Sequence, residues 1–210
     1  MAGGEVTDRL RSLWEQYAPR YDHDTGFYDL FLLGDSRSWA CSQASGQVLE
    51  VAIGTGRNLP FCRRGIQLAG IDFSAAMLAL ARDKAAQLGI EVTLLEADAQ
   101  HLPFADNRLD TVVCTLALSS IPDPAAAINE MYRVLRLGGQ LLVVGHVASL
   151  YRVVRAGQRR LERLSIRLAG DHQTRQPYAE IVAAGFTVDR RERLRAGVIE
   201  RVRAVKPTDR

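Results

Sequence analysis

Lysine is nearly missing from this sequence: of its 27 basic side chains, all but Lys84 and Lys206 are arginine. Also missing is any unbroken apolar run near the roughly 18 residues of a membrane span, so no spanning helix is expected. The N-terminus, MAGGEVTDRLRSLWEQY, has no apolar signal core and carries acids early, so no secretory or transit peptide is expected and the expected compartment is the cytoplasm. Cysteine is scarce. Cys41, Cys62 and Cys114 form no CxxC and have no histidine at ligand spacing. That pattern predicts reduced thiols in or near the core and no metal centre. No aromatic-interleaved basic patch offers stacking platforms, which speaks against a nucleic-acid partner. Repeats, low-complexity runs and long linkers are absent too, so the 210 residues read as one α/β domain.

What is there begins with charge. The net +3 divides into −5 over residues 1–150 and +8 over residues 151–210. A basic C-terminal part suits an anionic acceptor or surface.

Apolar periodicity then alternates helix with strand. Leu10, Leu13, Trp14 and Tyr17 recur at i, i+3, i+4, i+7, which predicts an amphipathic helix that Pro19 ends. A second helix is expected from about Phe27 to Ala40. Strands are predicted at 47–51, 66–71, 91–96, 110–114, 141–147, 186–194 and 198–205. Ser74 caps a helix that Gly89 stops. Asp123-Pro124 opens another, with Ile128, Met131, Tyr132 and Leu135 on its buried face and Gly138-Gly139 closing it. A basic helix over 150–168 and a short helix after Pro177 follow. The last two strands are joined by Arg195-Ala196-Gly197, too short for a parallel crossover, so they pair antiparallel. The expected architecture is a Rossmann-like three-layer αβα sandwich around a seven-stranded, mostly parallel sheet with an antiparallel C-terminal hairpin. Residues 1–40 form a helical lid and 150–180 a helical insertion on the acceptor side.

In such a sheet ligands bind beyond the carboxyl ends of the strands. At the first end, Gly54 and Gly56 remove side chains where backbone must approach a ligand, and the turn amides suit a carboxylate. At the second, Asp72 can accept from both hydroxyls of a ribose. At the third, Asp98 beside Ala99 can accept from an adenine amino group. At the fourth, Thr115-Leu116 lies under the ligand's middle, and Met77 is placed to pack on an adenine face.

Four segments carry a family resemblance: VLEVAIGTGRNLP, GIDFSAAMLALAR, LEADAQHLPFADNRLDTVVCTLALSSIPD and MYRVLRLGGQLLVVGHV. They resemble, in sequence and order, class I S-adenosylmethionine (SAM)-dependent methyltransferases. The likeness is to the UbiE-like branch, with its quinone and phospholipid-amine methyltransferases. The resemblance implies SAM as cofactor and S-adenosylhomocysteine as product. It implies that Glu50, Ala52, Gly54, Gly56 and Asn58 surround the methionine part of SAM. Asp72 would hold the ribose, with Phe73, Ser74 and Met77 toward the adenine, which Asp98 and Ala99 would read. Thr115 and Leu116 would complete the contacts. The segment Tyr17-Ala18-Pro19-Arg20-Tyr21-Asp22 resembles the family's lid, which brings Tyr17 and Tyr21 over the cofactor. Ala52 stands where the family's turn has its first glycine.

For chemistry, an acceptor bearing a proton needs a base. His146, at the end of the fifth strand, is the first candidate and His172 the second; Tyr21 is a third polar group that could meet substrate. The apolar Thr115-Leu116-Ala117-Leu118 segment suggests a small apolar or amphipathic acceptor: an amine, thiol, hydroxyl or quinone carbon. The arginine-rich 150–168 stretch reads either as a solvated face over the acceptor pocket or as a helix on a membrane surface. Monomer and homodimer both stay open. A nicotinamide-dependent oxidoreductase also wants glycines and an acid at these strand ends, but its fingerprint puts a small residue where Leu59 stands. Cys114-Thr115-Leu116-Ala117 lacks the Asn/Asp-Pro-Pro-aromatic motif of base-modifying enzymes. A non-catalytic SAM-binding protein is the remaining rival.

Overall fold

The structure, a computed structural model, describes residues 2–208. The aliphatic runs become the strands β1 (Gln47–Val51), β2 (Gln67–Asp72), β3 (Val92–Glu96), β4 (Leu109–Thr115), β5 (Leu135–His146), β6 (Thr187–Leu194) and β7 (Ile199–Val205). They form one sheet in the order β3-β2-β1-β4-β5-β7-β6, with β7 antiparallel to both its neighbours and β1 to β5 parallel. Winding reverses between β1 and β4, which opens a crevice beyond their carboxyl ends.

Helices cover both faces. On one, α4 (Pro124–Val134) and α6 (Tyr178–Ala183) bury Ile128, Met131 and Ile181 completely. On the other, α2 (Ser36–Cys41) and α3 (Ala75–Leu88) bury Ala40, Leu78 and Ala85. Each large aliphatic side chain so buried contributes roughly 1.5–3 kcal/mol. The expected caps are present: the Ser74 hydroxyl accepts from the Met77 N–H at 3.2 Å, and the Asp123 carboxylate from the Ala126 N–H at 3.0 Å. Gly89 ends α3 in the left-handed conformation, φ +63°.

Three expectations need correction. Helix α1 (Ala2–Tyr28) does not stop at Pro19 but runs through it. Proline removes one helical donor, and packing on both sides outweighs that loss: Leu10 and Ala18 are buried, and Trp14, Tyr17 and Tyr21 form a ring cluster with centroids 5.9–6.0 Å apart. The single helix expected from Phe27 to Ala40 is instead the end of α1, a π-helical turn (Asp29–Leu33) and α2, broken at Gly34 (φ +55°). Leu135 is not on the α4 face, and Gly138-Gly139 does not close that helix. The helix ends at Val134, Leu135 already pairs with Leu109 in β5, and the glycines sit at an irregularity of that strand where a Gly139 side chain would strike the Arg136 carbonyl.

Between β5 and α6, helix α5 (Arg152–Ala169) crosses toward α1, and Gly170 at its end lies where any side chain would strike Leu10. Cys41 and Cys62, remote in sequence, meet side by side, and their contact, with burial, raises the Cys41 thiol pKa. Cys114 is buried in the core, and burial pushes its pKa up to about 12.

Candidate active site

The turn after β1 uses its residues for different purposes. Gly54 (φ +58°) lines the crevice, and no protein atom lies within 4 Å of where its side chain would begin. Gly56 (φ +75°) faces the protein: a side chain there would come within 2.7 Å of Leu59 and 3.3 Å of the α3 backbone at Ala81. Gly54 therefore leaves room for a ligand, and Gly56 lets the turn close on α3.

Asp72 is buried at the tip of β2. Its carboxylate accepts the Gly54 N–H at 2.9 Å and the Ser74 N–H at 3.0 Å, one on each oxygen. Burial pushes its pKa up to about 6, against these backbone donors. Each oxygen has a second acceptor position, which is what a ribose diol requires. The Ala97 N–H donates to the Asp72 carbonyl at 3.0 Å, which sets the tip of β3 beside that of β2. Asp98 and Ala99 consequently open on the same cleft as Asp72, with Gln100 donating to both Asp98 oxygens at 3.0 and 2.9 Å.

Ala52, Phe73, Met77, Thr115 and Leu116 also line this cleft, and Tyr21 reaches it from α1. Two carboxylate acceptors, a glycine opening and an apolar slot around Met77 form a lining that fits an adenosine, whose hydroxyls and amino group are donors.

Other expected residues lie behind that wall. Glu50 is buried beneath the turn; the Asn58 amide donates to it at 2.8 Å and to the Thr115 hydroxyl at 3.0 Å. Burial pushes Glu50 up to about 8, although Arg37 and Asn58 oppose the shift. Ser74 caps α3, and Tyr17 stacks on Tyr21 rather than facing the cleft. His146 stands one strand over, its Nε2 3.0 Å from Asp171. His172 lines a second cleft between α1 and α5, which shares Ser120 and Pro122 with the first. Burial, then the Arg175 charge, lowers the His172 pKa below its usual 6.5.

Residues 49–143 match the family model of a methyltransferase domain. A phosphatidylethanolamine N-methyltransferase from Cereibacter sphaeroides is 44% identical over 105 residues, covering 49% of this chain and 52% of the relative. A demethylmenaquinone methyltransferase from Thermus thermophilus is 36% identical over 142 residues, covering 63% of each. Over residues 49–143 the chain is thus similar to methyltransferase domains, a quinone methyltransferase and a phospholipid-amine methyltransferase among them. The chain spans about half to two thirds of the length of the curated relatives named here. Its fold is that of a SAM-dependent methyltransferase from Thermotoga maritima, at a TM-score of 0.75 and 20% identity over 94% of this chain and 99% of that one.

Several residues of the cleft and its surroundings were not foreseen. Thr7 and Trp14 of α1 line the cleft, as do Ser120, Ile121 and Pro122. Asp171 pairs with His146 across 25 positions, a distance at which no spacing rule operates. An ion-pair network fastens the end of α1: Arg37 and Arg57 both meet Asp29, at 2.7 and 3.0 Å, and Asp22 meets Lys84 at 2.7 Å. Individually these charges look like a solvated surface. Ala52 (φ +54°) and Leu116 (φ +59°) both hold left-handed conformations at the cleft, where side chains other than glycine's are strained.

Proposed function

We propose that this chain transfers the methyl group of SAM to a small, apolar or amphipathic acceptor. The observation that carries this reading is that Asp72 and Asp98, from neighbouring strand tips, open on one cleft beside Gly54. SAM, when bound, supplies an already activated methyl on a sulfonium. Asp72 would hold the ribose hydroxyls, Asp98 the adenine amino group, and Met77 the ring face. Gly54 leaves space for the methionine part. Tyr21 closes the cleft from α1 and excludes water. Aligning donor and acceptor in this way is worth roughly 7–11 kcal/mol of the barrier.

The acceptor would lie in the adjoining cleft between α1 and α5, among Leu10, Leu13 and Ile166. For an acceptor that must lose a proton, His146 is the base. With Nε2–H donated to Asp171, its basic lone pair is on Nδ1. Burial raises the Asp171 pKa, but His146, together with Ser119 and Gln173, more than offsets this and the group sits below the usual carboxylate value. Asp171 therefore stays ionised and orients the imidazole. His172, in the second cleft, is the alternative base. The named relatives act on a phospholipid amine and on a quinone, and either class suits this cleft.

The test is thermal. S-adenosylhomocysteine should raise the Tm of the protein, and Asp72→Ala should remove most of that rise. Formation of S-adenosylhomocysteine from SAM over a panel of phospholipid amines, quinones and thiols then identifies the acceptor. A protein that binds S-adenosylhomocysteine but turns over with no member of the panel would be a non-catalytic binder. NADH fluorescence enhancement without a Tm response to S-adenosylhomocysteine would refute the assignment outright.

A further inference from the structure

Helix α5 is attached to the protein by the wrong face for an ordinary amphipathic helix. Gln158, Glu162 and Ser165 follow one another at i, i+4, i+7 and point inward. Gln158 accepts the Ser149 N–H at 2.7 Å and donates to the Val147 carbonyl at 2.8 Å. Glu162 accepts from the Thr174 N–H and hydroxyl, both at 2.9 Å, and the Ser165 hydroxyl donates to the Asp171 carbonyl at 2.8 Å. Polar side chains thus dock the helix.

Its apolar stripe faces out. Val153, Gly157, Leu161 and Leu164 fall on one side of the helix, with Val153 85%, Leu161 61% and Leu164 56% exposed. Arg152, Arg159, Arg163 and Arg167 flank that stripe along one edge. All four are exposed and none forms an ion pair among the described residues.

The stripe continues at the start of the helix. Leu150 and Tyr151 are exposed, and Leu150 lies against Gly197 at the tip of the β6–β7 hairpin. Arg195 of that tip approaches Gly34, three residues beyond Phe31. Phe31 and Phe27 stack with ring centroids 4.2 Å apart, yet are 54% and 73% exposed. Three separate segments therefore meet through the hairpin tip: the start of the α5 stripe at Leu150, the tip itself at Arg195 and Gly197, and the Gly34 turn that follows Phe27 and Phe31.

We infer that this face, built on α5, docks on a bilayer containing anionic phospholipid. A helix with an outward apolar stripe and a cationic edge lies in the plane of an interface, its apolar side in the acyl boundary. Arginine adds planar, two-point contact with phosphate oxygens. Antiparallel two-fold packing of a second copy on the same stripe would set one row of arginines against the other, and a dimer through this face is one outcome of the test. The cleft between α1 and α5 opens at Ile166 and Leu10, beside the arginine edge of the helix, and adjoins the cofactor cleft. Docking would therefore present a lipid-borne acceptor to the site without full extraction from the bilayer. The purpose of docking rests on the methyl-transfer reading; the docking itself is measured without turnover.

The test is co-sedimentation of the full chain with vesicles of phosphatidylcholine alone or mixed with phosphatidylglycerol. The protein should sediment with the mixed vesicles, lose binding as salt rises, and stay in solution with phosphatidylcholine alone. Leu161→Glu with Leu164→Glu should lower binding by about tenfold or more. Arg159→Gln with Arg163→Gln should lower it by about fivefold per arginine. In both variants the Tm rise with S-adenosylhomocysteine should be unchanged, which excludes misfolding. Three results would overturn the inference: wild type left in solution with the mixed vesicles, full binding by the double glutamate variant, or a wild-type dimer that this variant dissociates. An absent Tm response in every variant would refute the methyl-transfer reading and leave the vesicle result standing.

Discussion

Ala52 and Leu116 show strain placed at the mouth of the cleft. A left-handed conformation costs an L-residue with a side chain roughly 1–2 kcal/mol, and both residues pay it where β1 and β4 end. Replacing Ala52 with glycine should therefore stabilise the protein by about 1 kcal/mol in urea unfolding, the relief of strain exceeding the added freedom of the unfolded chain. Glu50 carries the opposite kind of tension. Its folded pKa of about 8 lies above its ordinary 4.5, so between those values the folded state holds a proton that the unfolded state has released. Stability at this site is full below about 4.5 and falls as pH rises toward 8. Glu50→Gln keeps an oxygen for the Asn58 amide but cannot ionise. Its Tm advantage over the wild type should be small at acid pH and widen steadily up to pH 8, as differential scanning calorimetry across that window would show.

At the scale of elements, α1 is held on the sheet domain by specific contacts. The Glu15 carboxylate accepts the Ala75 and Ala76 N–H groups at 2.6 and 3.0 Å, an acid on the N-terminus of α3. Asp22 accepts the Thr55 hydroxyl at 2.6 Å and the Lys84 ammonium at 2.7 Å, tying α1 to the glycine turn and to α3 at once. Asp22→Ala should loosen the lid without disturbing the sheet. S-adenosylhomocysteine affinity by calorimetry should fall about threefold to tenfold, the worth of one or two partly exposed hydrogen bonds, while the urea midpoint moves little.

For the whole molecule, the decisive juxtaposition is His146 with Asp171, from the end of β5 and the loop after α5. A carboxylate hydrogen-bonded to an imidazole fixes its tautomer and orientation. With an acceptor that must lose a proton, His146→Ala should reduce turnover by about 10²-fold or more and leave S-adenosylhomocysteine binding intact. Asp171→Asn should lower turnover with the same acceptor and leave S-adenosylhomocysteine binding intact, because the imidazole loses the acceptor that fixes its tautomer and orientation. A merely structural Asp171 would lower the Tm and S-adenosylhomocysteine binding together with activity.

Much of this was written locally. The alternation of apolar runs, the Ser74 and Asp123 caps and the three-residue hairpin link fix helix, strand and antiparallel pairing from neighbours a few positions apart, and Gly54, Asp72 and Asp98 fall at strand tips by counting alone. Tertiary structure decided what depends on contacts distant in the chain. Packing of Leu10, Ala18 and the ring cluster carried α1 through Pro19. The collision with Leu59 and α3 gave Gly56 its purpose, and burial behind Asn58 put Glu50 beneath the turn. The direction of α5 is the clearest case: its arginines and leucines alternate in the sequence as they would on any amphipathic helix. Only the hydrogen bonds of Gln158, Glu162 and Ser165 to partners outside the helix turned the leucines outward.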